Sequence, residues 1–190
     1  MDAGVTIHST LGAVAYNCGA LLVDHGWLRV LGAGTDALPG VHASTLKDPT
    51  NDREFQGMVV GYDVVGGRFA IHGGGLDDVP LGEVVYWAPD SLDWMPLGFG
   101  HQGFLEFVLS EGLADFVRDL RWAAWEPLTE TIGLDQGVFI YPPLFTNEGS
   151  NGNPTRNPVP LSELIAITED WARQLKDVPP GGQLTFGVTD

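Results

Sequence analysis

The chain has 190 residues, with nine Lys plus Arg against 25 Asp plus Glu and a formal charge of −16. Such a field repels phosphate backbones and anionic lipid surfaces, which disfavours nucleic-acid and membrane partners and leaves room for a protein partner with a basic surface. This length fits one domain that buries about 70% of its unfolded surface without a disulfide or metal staple. The single cysteine, Cys18, cannot form an internal bridge. No basic-then-apolar signal opens the chain, and no apolar run approaches the ~18 residues of a membrane span, so the expectation is a soluble, cytoplasmic protein.

Residues 1–18 are rich in Ala, Gly and Val and show no strong period. Two apolar runs then flank Asp24-His25-Gly26, which suits a tight hairpin, and their near-continuous hydrophobicity predicts strands buried on both faces. Residues 32–57 read as a long surface loop with room for a short element. The most organised stretch runs from Met58 to Leu109 and reads as a β-meander followed by a helix. Gly66-Gly67 can supply the positive φ angles of a two-residue turn, which would pair Val64 with Phe69 and Tyr62 with Ile71 on one apolar face. Residues 72–82 read as a glycine-rich loop. Glu83–Ala88 is a β-branched and aromatic strand, and Leu92–Leu97 is a further strand placed at an edge by Pro96. The period then changes to about 3.6. Phe104, Phe107 and Val108 line one helix, and Leu113, Phe116, Val117 and Leu120 line a second after Gly112. Gln136–Tyr141 is a short strand stopped by Pro142-Pro143. Thr146–Pro158 reads as a flexible loop. Leu161–Lys176 is an amphipathic helix, followed by a loose tail.

Few residue patterns carry chemistry. His72-Gly73-Gly74-Gly75 resembles an esterase oxyanion loop, but no Gly-x-Ser-x-Gly elbow accompanies it. The glycines after Leu31 loosely copy a dinucleotide fingerprint, yet Pro39-Gly40 blocks the helix that should follow. Five histidines and one cysteine show no metal-ligand spacing. Asp77, Asp78, Glu83 and Asp90 lack a calcium-loop frame and read as solvated carboxylates. No metal or cofactor is expected. Tryptophan and arginine are the residue types that dominate binding hot spots, so Asp90, Asp93, Trp94, Arg121, Trp122 and Trp125 are the candidate binding residues, weighed against simple core packing of the tryptophans.

Several runs together resemble a bacterial family known as domain of unknown function 2625. They are residues 16–32, the run Tyr86–Trp94, Asp119-Leu120-Arg121-Trp122, and Gln136 through Leu144. The resemblance covers roughly residues 12–160, implies no established activity, supplies no catalytic residues, and implies a further N-terminal segment. The outline of a strand entering Ile71-His72-Gly73-Gly74, further strands, then Phe104-Leu105-Glu106-Phe107, is similar to the SUKH superfamily, which includes toxin-immunity proteins.

The expected fold is α+β, a mostly antiparallel twisted sheet with helices on one face. Residues 1–160 form the expected core, with 161–190 a helix and tail docked on it. The expected function is that of a non-enzymatic, immunity-like protein-binding module. The alternative is an enzyme whose Asp63, His72, Asp90 and His101 converge only in space.

Overall fold

The computed structural model describes residues 9–46 and 55–179. The expected loose tail and the middle of the 32–57 loop lie outside the described residues. The fold is α+β. A seven-stranded antiparallel sheet contains β1 (Ala20–Val23), β2 (Leu28–Leu31), β3 (Thr45–Leu46), β4 (Gln56–Asp63), β5 (Arg68–Gly74), β6 (Glu83–Ala88) and β7 (Asp93–Gly100). Its order is β1-β2-β4-β5-β6-β7, with β3 beside β4, so β7 is the edge strand that Pro96 requires. A second sheet pairs β8 (Gln136–Tyr141) with β9 (Thr155–Pro160).

Strand β5 runs on to Gly74, three residues into the expected 72–82 loop, and three further segments differ from expectation. Helix α1 (Thr10–Asn17) forms where no period is visible, and the Ser9 hydroxyl caps it by accepting from Gly12 N at 3.0 Å. The expected flexible loop at 146–158 instead holds α5 (Asn147–Asn151) and β9. The expected Gly66-Gly67 two-residue turn is a wider one. The Asp63 carboxylate accepts from Val65 N at 3.0 Å and Gly67 N at 2.7 Å, which lifts Val64 and Val65 out of the strand.

That wider turn corrects the register. Tyr62 pairs with Arg68 rather than Ile71, a slip of three positions. An odd slip moves a side chain to the other side of the sheet. The expected apolar plane of Tyr62, Val64, Phe69 and Ile71 is therefore split. Phe69 keeps its face, packing on Phe104 at 5.1 Å between ring centres and on Tyr86 at 4.6 Å. Helix α2 (His101–Val108) and α3 (Gly112–Phe116) cover this side through Phe104 and Phe116. Tyr62 lies on the reverse side with Arg68.

Helix α4 (Glu126–Thr129) follows α3 and a 3-10 turn at Arg118–Leu120. Helix α6 (Leu161–Leu175) buries Leu161, Leu164 and Thr168, the i, i+3, i+7 stripe expected of it. A Cβ on Gly137 would meet Leu164 at 2.5 Å, so α6 lies tight against β8.

Candidate binding site

The corrected register sets one continuous row across six strands: Leu22, Arg29, Tyr62, Arg68, Trp87 and Trp94, each paired to the next. Five strand spacings separate its ends by about 24 Å. The row carries two buried arginines, and the sheet treats them differently. Arg68 is sandwiched over Trp87 at 4.5 Å and Trp94 at 5.6 Å, and its Nη1 donates to Glu169 of α6. Both a cation–π face and a counter-ion therefore compensate its burial. Arg29 has no ion pair among the described residues. Its Nη2 donates to the Gly133 carbonyl at 3.3 Å, and Nε and Nη1 have no protein acceptor. Burial pulls its pKa down, while Asp63 and Asp135 act through space to hold its charge.

At the Leu22 end the β1–β2 hairpin turns through Asp24, His25 and Gly26, all at positive φ. Two non-glycine residues in the left-handed region are a local cost that the hairpin's contacts must offset. Asp24 is paired with Arg121, whose guanidinium lies over Trp125 at 4.0 Å and Trp27 at 5.1 Å. Trp27 also meets Trp125 edge-on at 5.3 Å and Trp122 at 5.8 Å. Arg156 of β9 reaches over Trp122 at 5.2 Å. The corner thus interleaves three tryptophans with two arginines. Beside it His25 Nδ1 and Glu130 Oε1 are 2.5 Å apart, and that contact raises the histidine pKa above its ordinary 6.5.

Leu22, His25, Gly26, Arg29, Thr129, Glu130, Ile132 and Leu134 enclose a cleft of about 190 Å³. Arg29 is its floor, the hairpin one wall and α4 with the following turn the other.

The six candidate binding residues fall in two groups. Arg121, Trp122 and Trp125 meet at this corner, although Trp125 is buried and Arg121 is already paired with Asp24. Asp90, Asp93 and Trp94 lie at the opposite end of the row. Asp90 and Asp93 are exposed, Asp93 accepts from Trp94 N at 2.8 Å, and Trp94 stacks on Phe55 at 3.9 Å. They are two surfaces, not one patch.

The four Asp and His residues proposed to converge do not meet. Asp63 is fully buried under Tyr86, which donates to it at 2.6 Å. His72 is in β5, paired with Gly57 of β4, with Nδ1 3.2 Å from the Pro80 carbonyl and Nε2 accepting from Leu76 N at 3.4 Å. Asp90 is in the β6–β7 turn, and His101 opens α2 with Nδ1 3.0 Å from the Thr10 hydroxyl. No hydrogen bond or ion pair joins any two of the four. Among the described residues no three His, Cys, Asp or Glu side chains are placed to hold a metal ion, and no helix is long and apolar enough to cross a membrane.

Sequence reasoning missed Arg29 and Trp27. The signal was there: Arg29 is a single charge inside the apolar run Trp27–Leu31, and a charge in a buried strand needs a partner or a purpose.

No solved structure matches the chain. It is 36% identical over 173 residues to the uncharacterised protein YbfG of Escherichia coli (strain K12), an alignment covering 90% of this chain and 74% of that one. It is 33% identical over 142 residues to an uncharacterised protein of Haemophilus influenzae (strain ATCC 51907 / DSM 11121 / KW20 / Rd), covering 71% of this chain and 60% of that one. Residues 1–164 match the family described as protein of unknown function DUF2625, and the chain belongs to that family.

Proposed function

We propose that this chain is a non-catalytic protein-binding module whose contact surface is the corner of Arg121, Trp122 and Trp125. The observation that supports it is the composition of that corner. A half-buried Trp122 stands in a stretch with exposed Ala123, Ala124 and Pro127, and the same stretch of chain carries the carboxylates of Asp119 and Glu126, with Glu130 held by His25. Aromatic side chains next to exposed carboxylates are the residue types of a hot spot that takes a basic partner. The separation of Asp63, His72, Asp90 and His101 counts against the enzyme alternative. An immunity-type role against a basic toxin is the concrete form of this reading. This form rests on the order of β5, which carries Ile71-His72-Gly73-Gly74, then β6, β7 and Phe104 of α2.

Crosslinking of the full chain in extracts of the source cell tests this. We expect a basic protein to be captured at low salt and lost as ionic strength rises, because exposed charges are screened within about a Debye length of 10 Å. Capture should fall in the Asp119→Lys, Glu126→Lys double variant and in Trp122→Ala. Capture unchanged in both variants, or metabolite turnover by the purified chain alone, would reverse the assignment.

A further inference from the structure

We propose that the cleft over Arg29 is a binding site for a small monocarboxylate, which meets the guanidinium end-on through Nη1–H and Nη2–H. Buried charges are paired, because removing a guanidinium from water is costly unless its donors are satisfied. Of the buried arginines, Arg68 has Glu169 and one nitrogen without an acceptor, while Arg29 has only one 3.3 Å bond to a carbonyl and two nitrogens without acceptors among the described residues. Nη1–H and Nη2–H form the end-on edge of the fork that matches a carboxylate, and Nη2 is held only by that long bond to Gly133.

The walls set the rest of the ligand. Leu22, Ile132 and Leu134 are apolar, and Thr129 and His25 offer polar contacts at the sides. A volume of about 190 Å³ is too small for a nucleotide-sized cofactor, since such sites run from ~300 Å³ upward. Charge favours a monoanion over phosphate. A single guanidinium lies below a rim that includes Glu130, Asp63 and Asp135 act on it through space, and the chain carries −16 overall. Only 1% of Arg29 is open to solvent. Entry therefore moves the 131–134 turn outward and exchanges the long Nη2 bond to Gly133 for bonds to the carboxylate. The site stands whether or not the corner takes a protein partner.

The probes are benzoate and butyrate, with benzamide, butyramide and inorganic phosphate as controls. They are titrated into the full chain and followed by tryptophan fluorescence and thermal unfolding. We expect a saturable response to the two carboxylates alone, weakened about 10- to 100-fold by Arg29→Met. Leu22→Glu reads the same site without disturbing the interior, because Leu22 is 57% exposed and is the cross-strand partner of Arg29. A tethered carboxylate there should abolish the benzoate response and raise the thermal midpoint. The proposal fails if benzoate and benzamide act alike, if neither carboxylate saturates, if phosphate binds more tightly than benzoate, or if Leu22→Glu still binds benzoate like the parent.

Discussion

Replacing Asp63 by alanine is expected to destabilise the fold by about 3 kcal/mol, the largest single effect among the residues considered as catalytic. The carboxylate accepts from Val65 N at 3.0 Å, Gly67 N at 2.7 Å and the Tyr86 hydroxyl at 2.6 Å, with no surface exposed. Desolvation raises its pKa, and the hydrogen bonds and Arg29 oppose that rise. Alanine removes the acceptor but leaves three buried donors behind, each costing roughly 1–3 kcal/mol, partly offset by relief of the buried charge. Asp63→Asn keeps one acceptor oxygen and should cost about half as much. Urea unfolding of both variants, compared by midpoint at constant slope, gives the answer. A loss under about 1 kcal/mol for Asp63→Ala would mean that backbone sterics close this turn without help from the carboxylate.

His101 should make the protein acid-sensitive. It is buried as the first residue of α2, where the helix dipole disfavours a cation, and its Nε2 has no protein partner. Desolvation lowers its pKa from 6.5 to about 4. A base whose folded pKa is depressed binds its proton more readily when unfolded. Its contribution to stability is therefore intact above pH 6.5 and lost as pH falls towards 4. The unfolding free energy of the parent should fall relative to that of His101→Leu as pH drops from 6.5 towards 4. Parallel curves would show that His101 is protonated as easily folded as unfolded.

These expectations give Asp63 and His101 structural roles, which fits their separation from each other and from any shared pocket. Their sequence surroundings could not have revealed this. Asp63 closes the β4–β5 turn by side-chain bonds that compete with the Gly66-Gly67 signal, and the outcome depends on Tyr86 arriving from β6. The register that followed, and with it the row from Leu22 to Trp94, was legible only once the turn width was known. Elements set by their own period were easier. The strands at Glu83–Ala88 and Gln136–Tyr141 and the helix Leu161–Leu175 have the bounds their patterns predict, within a residue.

Strand β9 shows a rule applied too strictly. The Asn, Gly and Pro content of 146–158 suggested a loop, but Pro154, Pro158 and Pro160 share one parity. That leaves the N–H groups of Thr155, Asn157 and Val159 for the ladder to β8. The binding corner was half legible. Arg121, Trp122 and Trp125 could be picked by residue type, whereas Trp27, Asp24 and Arg29 join them through the hairpin and only in three dimensions.

The central claim is that recognition happens at the hairpin corner and not at the far end of the row. A photoreactive residue placed at Ala123, and in a separate protein at Asp93, tests it most directly, since both positions are exposed and the row between these two regions spans about 24 Å. Crosslinking to a basic partner from position 123, with little from 93, is the predicted result. Crosslinking from 93 alone, or equally from both, would contradict it.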